Sequence, residues 1–356
     1  MADHKKLEGL QILRGFCATA VVVSHASGMT ALPKYGGQAF FNRQLEYGFL
    51  GVDIFFVISA FIIATVNLRG REWVPRLTAR SYFAKRFVRI VPLMWLAILS
   101  YAALQFAANR AGFEVAGYVR ALFLLPFSNL KPDVIWTLRQ EFLFYLIFCL
   151  AFFGPKALRW LILIWVLSPI AYVASLGSMT ATTAFIDSAA SILFSTVNLE
   201  FGAGLILGLA WVRSPPVGEW RSPVHPLVAI YGLGILLFAL VAATGFVGQT
   251  LPLVLTMGAT GALLVGFSAR VHCPPGLLTG VGELLGDASY SIYLFHLHLQ
   301  VCALTVLTKL HLTLPAPVMV AGLLALSLGG GVLIHLLIEK PLIRWTRARV
   351  EGRAAR

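Results

Sequence analysis

Gly48-Phe49-Leu50-Gly51-Val52-Asp53-Ile54-Phe55-Phe56-Val57-Ile58-Ser59-Ala60-Phe61-Ile62-Ile63-Ala64-Thr65-Val66 is a run of nineteen residues with one charge, Asp53. A helix rises 1.5 Å per residue, so about 20 mostly apolar residues cross a hydrocarbon core about 30 Å thick. This run meets that requirement. Nine further windows do so as well: roughly 11–29, 88–107, 134–153, 159–176, 189–212, 226–245, 249–268, 283–306 and 316–338. The window at 11–29 is the weakest, because it holds Arg14 and His25. The composition agrees. Of 356 residues, 58% are hydrophobic and 12% charged, against about 25% charged in a soluble domain. The mean hydropathy is +0.82. A soluble enzyme, a disordered tail and a coiled coil are excluded. The connections are mostly short and no internal repeat is visible. The expected fold is therefore all-α: a polytopic membrane bundle of about ten helices in one domain, 1–356. A basic cytoplasmic loop lies at about 67–89 and a basic tail at about 339–356.

Cys17, Cys149, Cys273 and Cys302 show no CxxC or zinc spacing, so neither disulfides nor a metal site is expected. The polar start, Met1–Gln11, is not followed by a short apolar segment with a cleavage site, and no removed signal peptide is read.

Orientation follows from basic residues, which favour the cytoplasmic side. With the N-terminus inside, 20 of the 28 Lys and Arg fall in cytoplasmic segments, among them Lys5, Lys6, Arg344, Arg347, Arg349, Arg353 and Arg356. Six fall outside (Lys34, Arg43, Arg110, Arg120, Lys131, Lys309), and Arg14 and Arg139 lie within spans. This supports ten spans with both termini cytoplasmic. It also accounts for the net charge of +13 without a nucleic-acid partner.

Ionisable residues inside spans are costly and mark candidate sites. Here they are Arg14, His25, Asp53, Arg139, Glu141, Glu200, Glu283, Asp287, His296, His298 and His335. Ordinary explanations compete for several. Asp53 and Asp287 suit helix caps, Glu283 and Asp287 suit a cytoplasmic mouth, His335 suits an interface, and Arg139 can snorkel outward. Arg14 and His25 are harder to dismiss. Eleven residues bring a helix back to within about 20° of its starting face and advance it about 16 Å. Both side chains thus line one face of the first span. Depth links His25 to a second residue. His25 lies about 20 Å above the cytoplasmic edge, and Glu141, on the inward-running fourth span, about 10 Å below the outer edge. A carboxylate at that depth can orient an imidazole and favour its protonated form. A pair with Arg139 is the competing role for Glu141. Seven basic residues occupy Arg69–Arg89. Arg86 and Arg89, three apart, share a helix face. Their guanidiniums suit phosphates, or else only topology and lipid headgroups.

Read in order, these segments resemble the acyltransferase-3 family of bacterial membrane acyltransferases, and within it the exopolysaccharide acetyltransferase branch. The matching residues are Leu13-Arg14-Gly15 with the spacing to His25, Gly51 to Ile63 (with Ala60 where the family usually has Gly), Arg86-Phe87-Val88-Arg89-Ile90-Val91-Pro92-Leu93, Trp136-Thr137-Leu138-Arg139-Gln140-Glu141-Phe142-Leu143-Phe144-Tyr145-Leu146, Leu285 to His296, and Glu339-Lys340-Pro341-Leu342. The resemblance implies ten helices and transfer of an acyl group, usually acetyl, from cytoplasmic acyl-CoA to a sugar hydroxyl. It implies His25 as the catalytic histidine, Arg14 as its companion, and Arg86 and Arg89 on the donor. Arg139-Gln140 departs from the family's commoner small or acidic residues before the glutamate.

The expectation is an O-acyltransferase of the bacterial inner membrane. Its co-substrate is acetyl-CoA or another acyl-CoA, with no tightly bound cofactor and no metal. Its partners are a glycan or lipid-linked sugar acceptor and membrane lipids. His25, Arg14 and Glu141 are the catalytic candidates. Arg86, Arg89 and Arg14 are the donor-binding candidates, and Asp53, Tyr145, Ser291, Tyr293 and His296 the supporting ones. General-base transfer and a covalent acyl-imidazole both remain open, as do the acceptor and the oligomeric state. A flippase for a lipid-linked glycan, or a subunit of a polysaccharide export complex, is the alternative. Matched Gly/Pro-broken spans of the kind that mark transporter sites are not seen.

Overall fold

The structure, a computed structural model, describes residues 7–38, 41–108, 110, 112–126, 130–175, 189–216, 218–245 and 250–354. Lys5, Lys6 and Arg356, counted above as cytoplasmic charges, lie outside the described residues. The helices are α1 (Glu8–Thr30), α2 (Gly51–Asn67), α3 (Ala79–Ala108), α4 (Val115–Phe123), α5 (Ile135–Phe153), α6 (Arg159–Ser175), α7 (Ala189–Leu193), α8 (Asn198–Arg213), α9 (Pro226–Thr244), α10 (Leu251–Arg270), α11 (Leu277–Asp287), α12 (Ser289–Lys309), α13 (Ala316–Ile334) and α14 (Lys340–Ala354). A 3-10 stretch, Phe41–Leu50, leads into α2, and a π turn, His335–Glu339, joins α13 to α14. One small antiparallel hairpin pairs β1 (Leu68–Arg69) with β2 (Val74–Pro75). Among the described residues, nine helical stretches are long and apolar enough to cross a membrane.

Nine of the ten expected spans correspond to these stretches. The exception is 189–212, expected as one helix and found as α7 and α8 with a break at 194–197. Broken backbone at membrane depth needs substitute hydrogen bonds, and side chains supply them. Gln140 Nε2 donates to the Ile192 carbonyl at 3.1 Å and to Asn198 Oδ1 at 2.6 Å, while Asn198 Nδ2 donates to the Leu193 carbonyl at 2.8 Å. The expected span at 283–306 is also corrected. It begins at Ser289, and Glu283 and Asp287 belong to the separate helix α11. The basic loop at 67–89 is likewise part hairpin and part helix, since α3 starts at Ala79.

The chain divides into two compact units, with boundaries inside α2 and α10. In the first unit α1 is the hub, with α9, α11, α12, α13 and the 3-10 stretch packed around it. Its hydropathy is depressed by residues that face protein, and Ile12, Leu13, Cys17, Ala18, Val22 and Ala26 are fully enclosed. Small residues permit the close approaches, as between membrane helices generally. A Cβ on Gly286 of α11 would collide with the Gln11 carbonyl oxygen of α1.

In the second unit α6 packs on α5 and α8, and α3 on α4 and α14. An aromatic seam holds these helices together. Phe144 stacks on Phe201 at 4.6 Å and lies 6.1 Å from Trp165. Each such pair adds about 0.5–1.5 kcal/mol beyond its buried area.

Candidate active site

α1 and α12 run side by side in the first unit and meet at two polar rungs. At the first, Arg14 donates to Gln11 Oε1 at 3.1 Å and to Ser289 Oγ at 2.9 Å. At the second, His25 faces His296, with ring centroids 4.8 Å apart and planes tilted by 58°. Arg14 precedes His25 on α1, and Ser289 precedes His296 on α12 by seven residues, two turns on the same face. The helices are therefore parallel, and the single polar face expected on α1 has a matching face opposite it.

The second rung fixes the chemistry of both rings. His25 Nδ1 lies 3.0 Å from the Val21 carbonyl, and His296 Nδ1 lies 2.7 Å from the Tyr293 carbonyl. A carbonyl only accepts, so each Nδ1 carries the hydrogen. In the neutral ring the lone pair then sits on Nε2. His25 is half-buried and His296 fully buried. Tyr293 also borders His296, its ring centroid 5.9 Å away. Ser291 is buried on the same helix, and Asp53 is buried in the first turn of α2, where the helix dipole favours a carboxylate.

Glu141 belongs to the second unit and has its partners there. Its Oε1 accepts from Ser59 Oγ at 2.6 Å and, through a short hydrogen bond, from the Tyr145 hydroxyl one turn along α5. The competing pair with Arg139 is not formed. Arg139 instead donates to the Leu125 carbonyl at 3.4 Å. The Arg86 guanidinium lies 5.9 Å from the Tyr145 ring centroid, so Arg86, Tyr145, Glu141 and Ser59 form one cluster. Arg86 Nε is buried without a hydrogen-bond partner among the described residues. Arg89 is exposed on the same helix. The expected pair thus separates into one arginine turned inward and one turned out.

Near Arg86 in sequence, the hairpin turn forms a shallow depression lined by Arg69, Gly70, Arg71, Glu72 and Val74. It is braced from the α5–α6 connection. Lys156 Nζ donates to Glu72 Oε2 at 3.1 Å, and Arg159 donates to the Glu72 carbonyl at 3.0 Å. The Lys156 ammonium holds the Glu72 carboxyl below the usual carboxylate range. Sequence reasoning counted Arg69 and Arg71 only as part of a basic loop. It missed Ser59 and Ser289 as partners, although both stood inside the quoted motifs.

A family model described as an acyltransferase domain matches residues 7–336. Exopolysaccharide production protein ExoZ of Rhizobium meliloti is 31% identical over 345 residues, covering 88% of this chain and 97% of that protein. Acyltransferase MdmB of Streptomyces mycarofaciens is 25% identical, covering 95% and 92%. Peptidoglycan O-acetyltransferase OatA of Listeria monocytogenes is 27% identical, covering 70% of this chain and 44% of that longer protein. No solved structure matches. The extent of the family match, with a relative of this identity spanned almost end to end, means that the chain belongs to the acyltransferase-3 family and is a multi-pass membrane acyltransferase.

Proposed function

We propose that this protein is an O-acetyltransferase of the bacterial inner membrane, taking its acyl group from cytoplasmic acetyl-CoA and passing it to a hydroxyl of a glycan or lipid-linked sugar. The observation that carries this reading is the His25 ring, whose Nδ1–H is committed to Val21 and whose Nε2 therefore holds the lone pair. In the proposed reaction Nε2 takes the proton of the acceptor hydroxyl as its oxygen attacks the thioester carbonyl. The C–S bond breaks, and the proton passes on to the departing thiolate. Arg14, anchored by Gln11 and Ser289 on the same helix face, is the fixed positive charge on that route. Arg86, Arg89 and the arginines of the hairpin turn form the donor's phosphate-binding group. The names of ExoZ and OatA support a polysaccharide acceptor.

The test uses purified full-length protein with acetyl-CoA, and mass spectrometry of surface glycans from cells with and without the gene. Acetyl release that requires His25, together with loss of one acetyl mass from a glycan, is the expected result. Intact acetylation in the deletion strain, or no turnover of acetyl-CoA, would overturn the reading.

A further inference from the structure

We propose that Arg139 holds an oxyanion, a carboxylate or a phosphate, carried by the acceptor, and so selects acidic acceptors. The proposal rests on the reading of the acceptor as a glycan or lipid-linked sugar. Arg139 is the fifth residue of α5 and only 8% exposed. Its guanidinium is always charged and is a donor at every nitrogen. Its described polar contact is a long one, from Nη1 to the Leu125 carbonyl at 3.4 Å. Nε is buried without a hydrogen-bond partner among the described residues. No carboxylate of those residues pairs with it. Glu141, two residues along, has its Oε1 engaged by Ser59 and Tyr145. A buried charge without a counter-ion is strongly unfavourable, and charges kept within spans mark substrate or ion routes.

The neighbouring cations are already matched. Arg120 lies 3.7 Å from Glu114, and Lys131 lies 3.5 Å from Asp133. Backbone bonds tie both to the same α4–α5 connection. The Leu125 N–H donates to the Arg120 carbonyl at 2.9 Å, and the Lys131 N–H to the Gly117 carbonyl at 3.2 Å. Arg139 is therefore the cation left over among the described residues of this connection. Depth argues that its anion comes with the acceptor. Phe153, the last residue of α5, is fourteen residues further on, about 21 Å along the axis. With α5 running inward, that end is the cytoplasmic one, where the donor's phosphates arrive, and Arg139 lies one turn below the outer end. The planar fork of a guanidinium matches a carboxylate or a phosphate through paired hydrogen bonds, which a neutral sugar cannot replace.

The experiment measures binding and turnover separately on purified full-length protein, comparing wild type with Arg139→Gln and Arg139→Lys. The probes are methyl glucuronide, neutral methyl glucoside, farnesyl diphosphate and phosphatidylglycerol. The glucuronide represents a carboxylate on the sugar, and the diphosphate a phosphate of a lipid link. One of these two is expected to bind wild type and raise its melting temperature, and the glucoside is not. Arg139→Gln should weaken that binding about ten- to a hundredfold, the size of a hydrogen bond to a charged group. Its own melting temperature should stay level or rise, because an unmatched buried charge is gone. Arg139→Lys keeps the charge without the fork and should fall between; it carries the test if Arg139→Gln fails to insert. Equal binding of acidic and neutral probes, or unchanged affinity in Arg139→Gln, would overturn the proposal. So would weaker acetyl-CoA binding in that variant, which would assign Arg139 to the donor. An Arg139-dependent response to phosphatidylglycerol alone would make it a headgroup anchor instead. Asp187, outside the described residues, supplies a control. An equal drop in melting temperature in Arg139→Gln, Asp187→Asn and the double variant would mean an internal ion pair and overturn the proposal. Turnover of acetyl-CoA that requires His25, with no probe bound at Arg139, overturns this inference alone. Probe binding at Arg139 without any turnover overturns the proposed reaction instead.

Discussion

As the proposed base, His25 would draw its reactivity from an ordinary helical contact. The carbonyl four residues earlier has two lone pairs, so it can serve the helix ladder and the imidazole Nδ1–H together. The ring is thereby held in one tautomer with its base nitrogen outward from its own helix. We expect His25→Ala to lose about 10²–10⁴ of the transfer rate, the usual contribution of a general base. Protein level and melting temperature should stay near wild type, and near-normal turnover would reduce His25 to a packing residue. Glu141 is tested with it. If Glu141 serves the same proton as His25, the double variant costs little more than His25→Ala alone. Losses that multiply would give Glu141 a separate task beside Ser59 and Tyr145. The periodicity of α1 was enough to put Arg14 and His25 on one face. It could not reveal Ser289 or His296 as their partners, because the pattern of one helix does not specify which other helix packs on it.

At the scale of elements, hydropathy averaging explains both what was legible and what was missed. The window at 189–212 averages as apolar, yet the helix stops at Leu193 and restarts at Asn198. The break is stabilised by Gln140, fifty-two residues before Ile192 in sequence, and a local average cannot contain that. We expect Gln140→Leu to leave the Ile192 carbonyl and the Asn198 amide oxygen short of a donor. The cost should be about 1–3 kcal/mol for each buried group left unsatisfied, read as a lower melting temperature in detergent. An unchanged melting curve would mean that water satisfies the break. Helix α3 carries a second test. Arg89 is exposed, so Arg89→Ala should weaken binding of acetyl-CoA and flatten its salt dependence without altering stability. Arg86→Ala should weaken binding and also lower the melting temperature, because its guanidinium packs over Tyr145. Calorimetry of donor binding at two salt concentrations separates these outcomes, and unchanged affinity in both variants would assign the arginines to anchoring alone.

Across the whole molecule, α7 and α8 decide the parity of the topology. Nine helical stretches meet the length and hydropathy requirement among the described residues. Nine crossings from a cytoplasmic N-terminus would leave the C-terminal helix outside, exposing Lys340, Arg344 and Arg347 on the side where basic residues are disfavoured. Helix α8 has sixteen residues, about 24 Å at 1.5 Å per residue. That is slightly short of a core about 30 Å thick, and the five residues of α7 make up the difference. We therefore expect α7 and α8 to act together as one broken crossing, which restores ten spans and returns the tail to the cytoplasm. Single cysteines read this out, placed in full-length protein whose exposed Cys302 is replaced by serine. A membrane-impermeant maleimide added to intact cells should label Lys309→Cys but spare Arg221→Cys and Arg344→Cys, which should react only after lysis. If α7 and α8 do not cross, every segment after them changes side. Arg221→Cys and Arg344→Cys would then label in intact cells, and Lys309→Cys would be protected. That pattern would also set α12 antiparallel to α1, which the Arg14–Ser289 and His25–His296 rungs between two parallel helices do not allow.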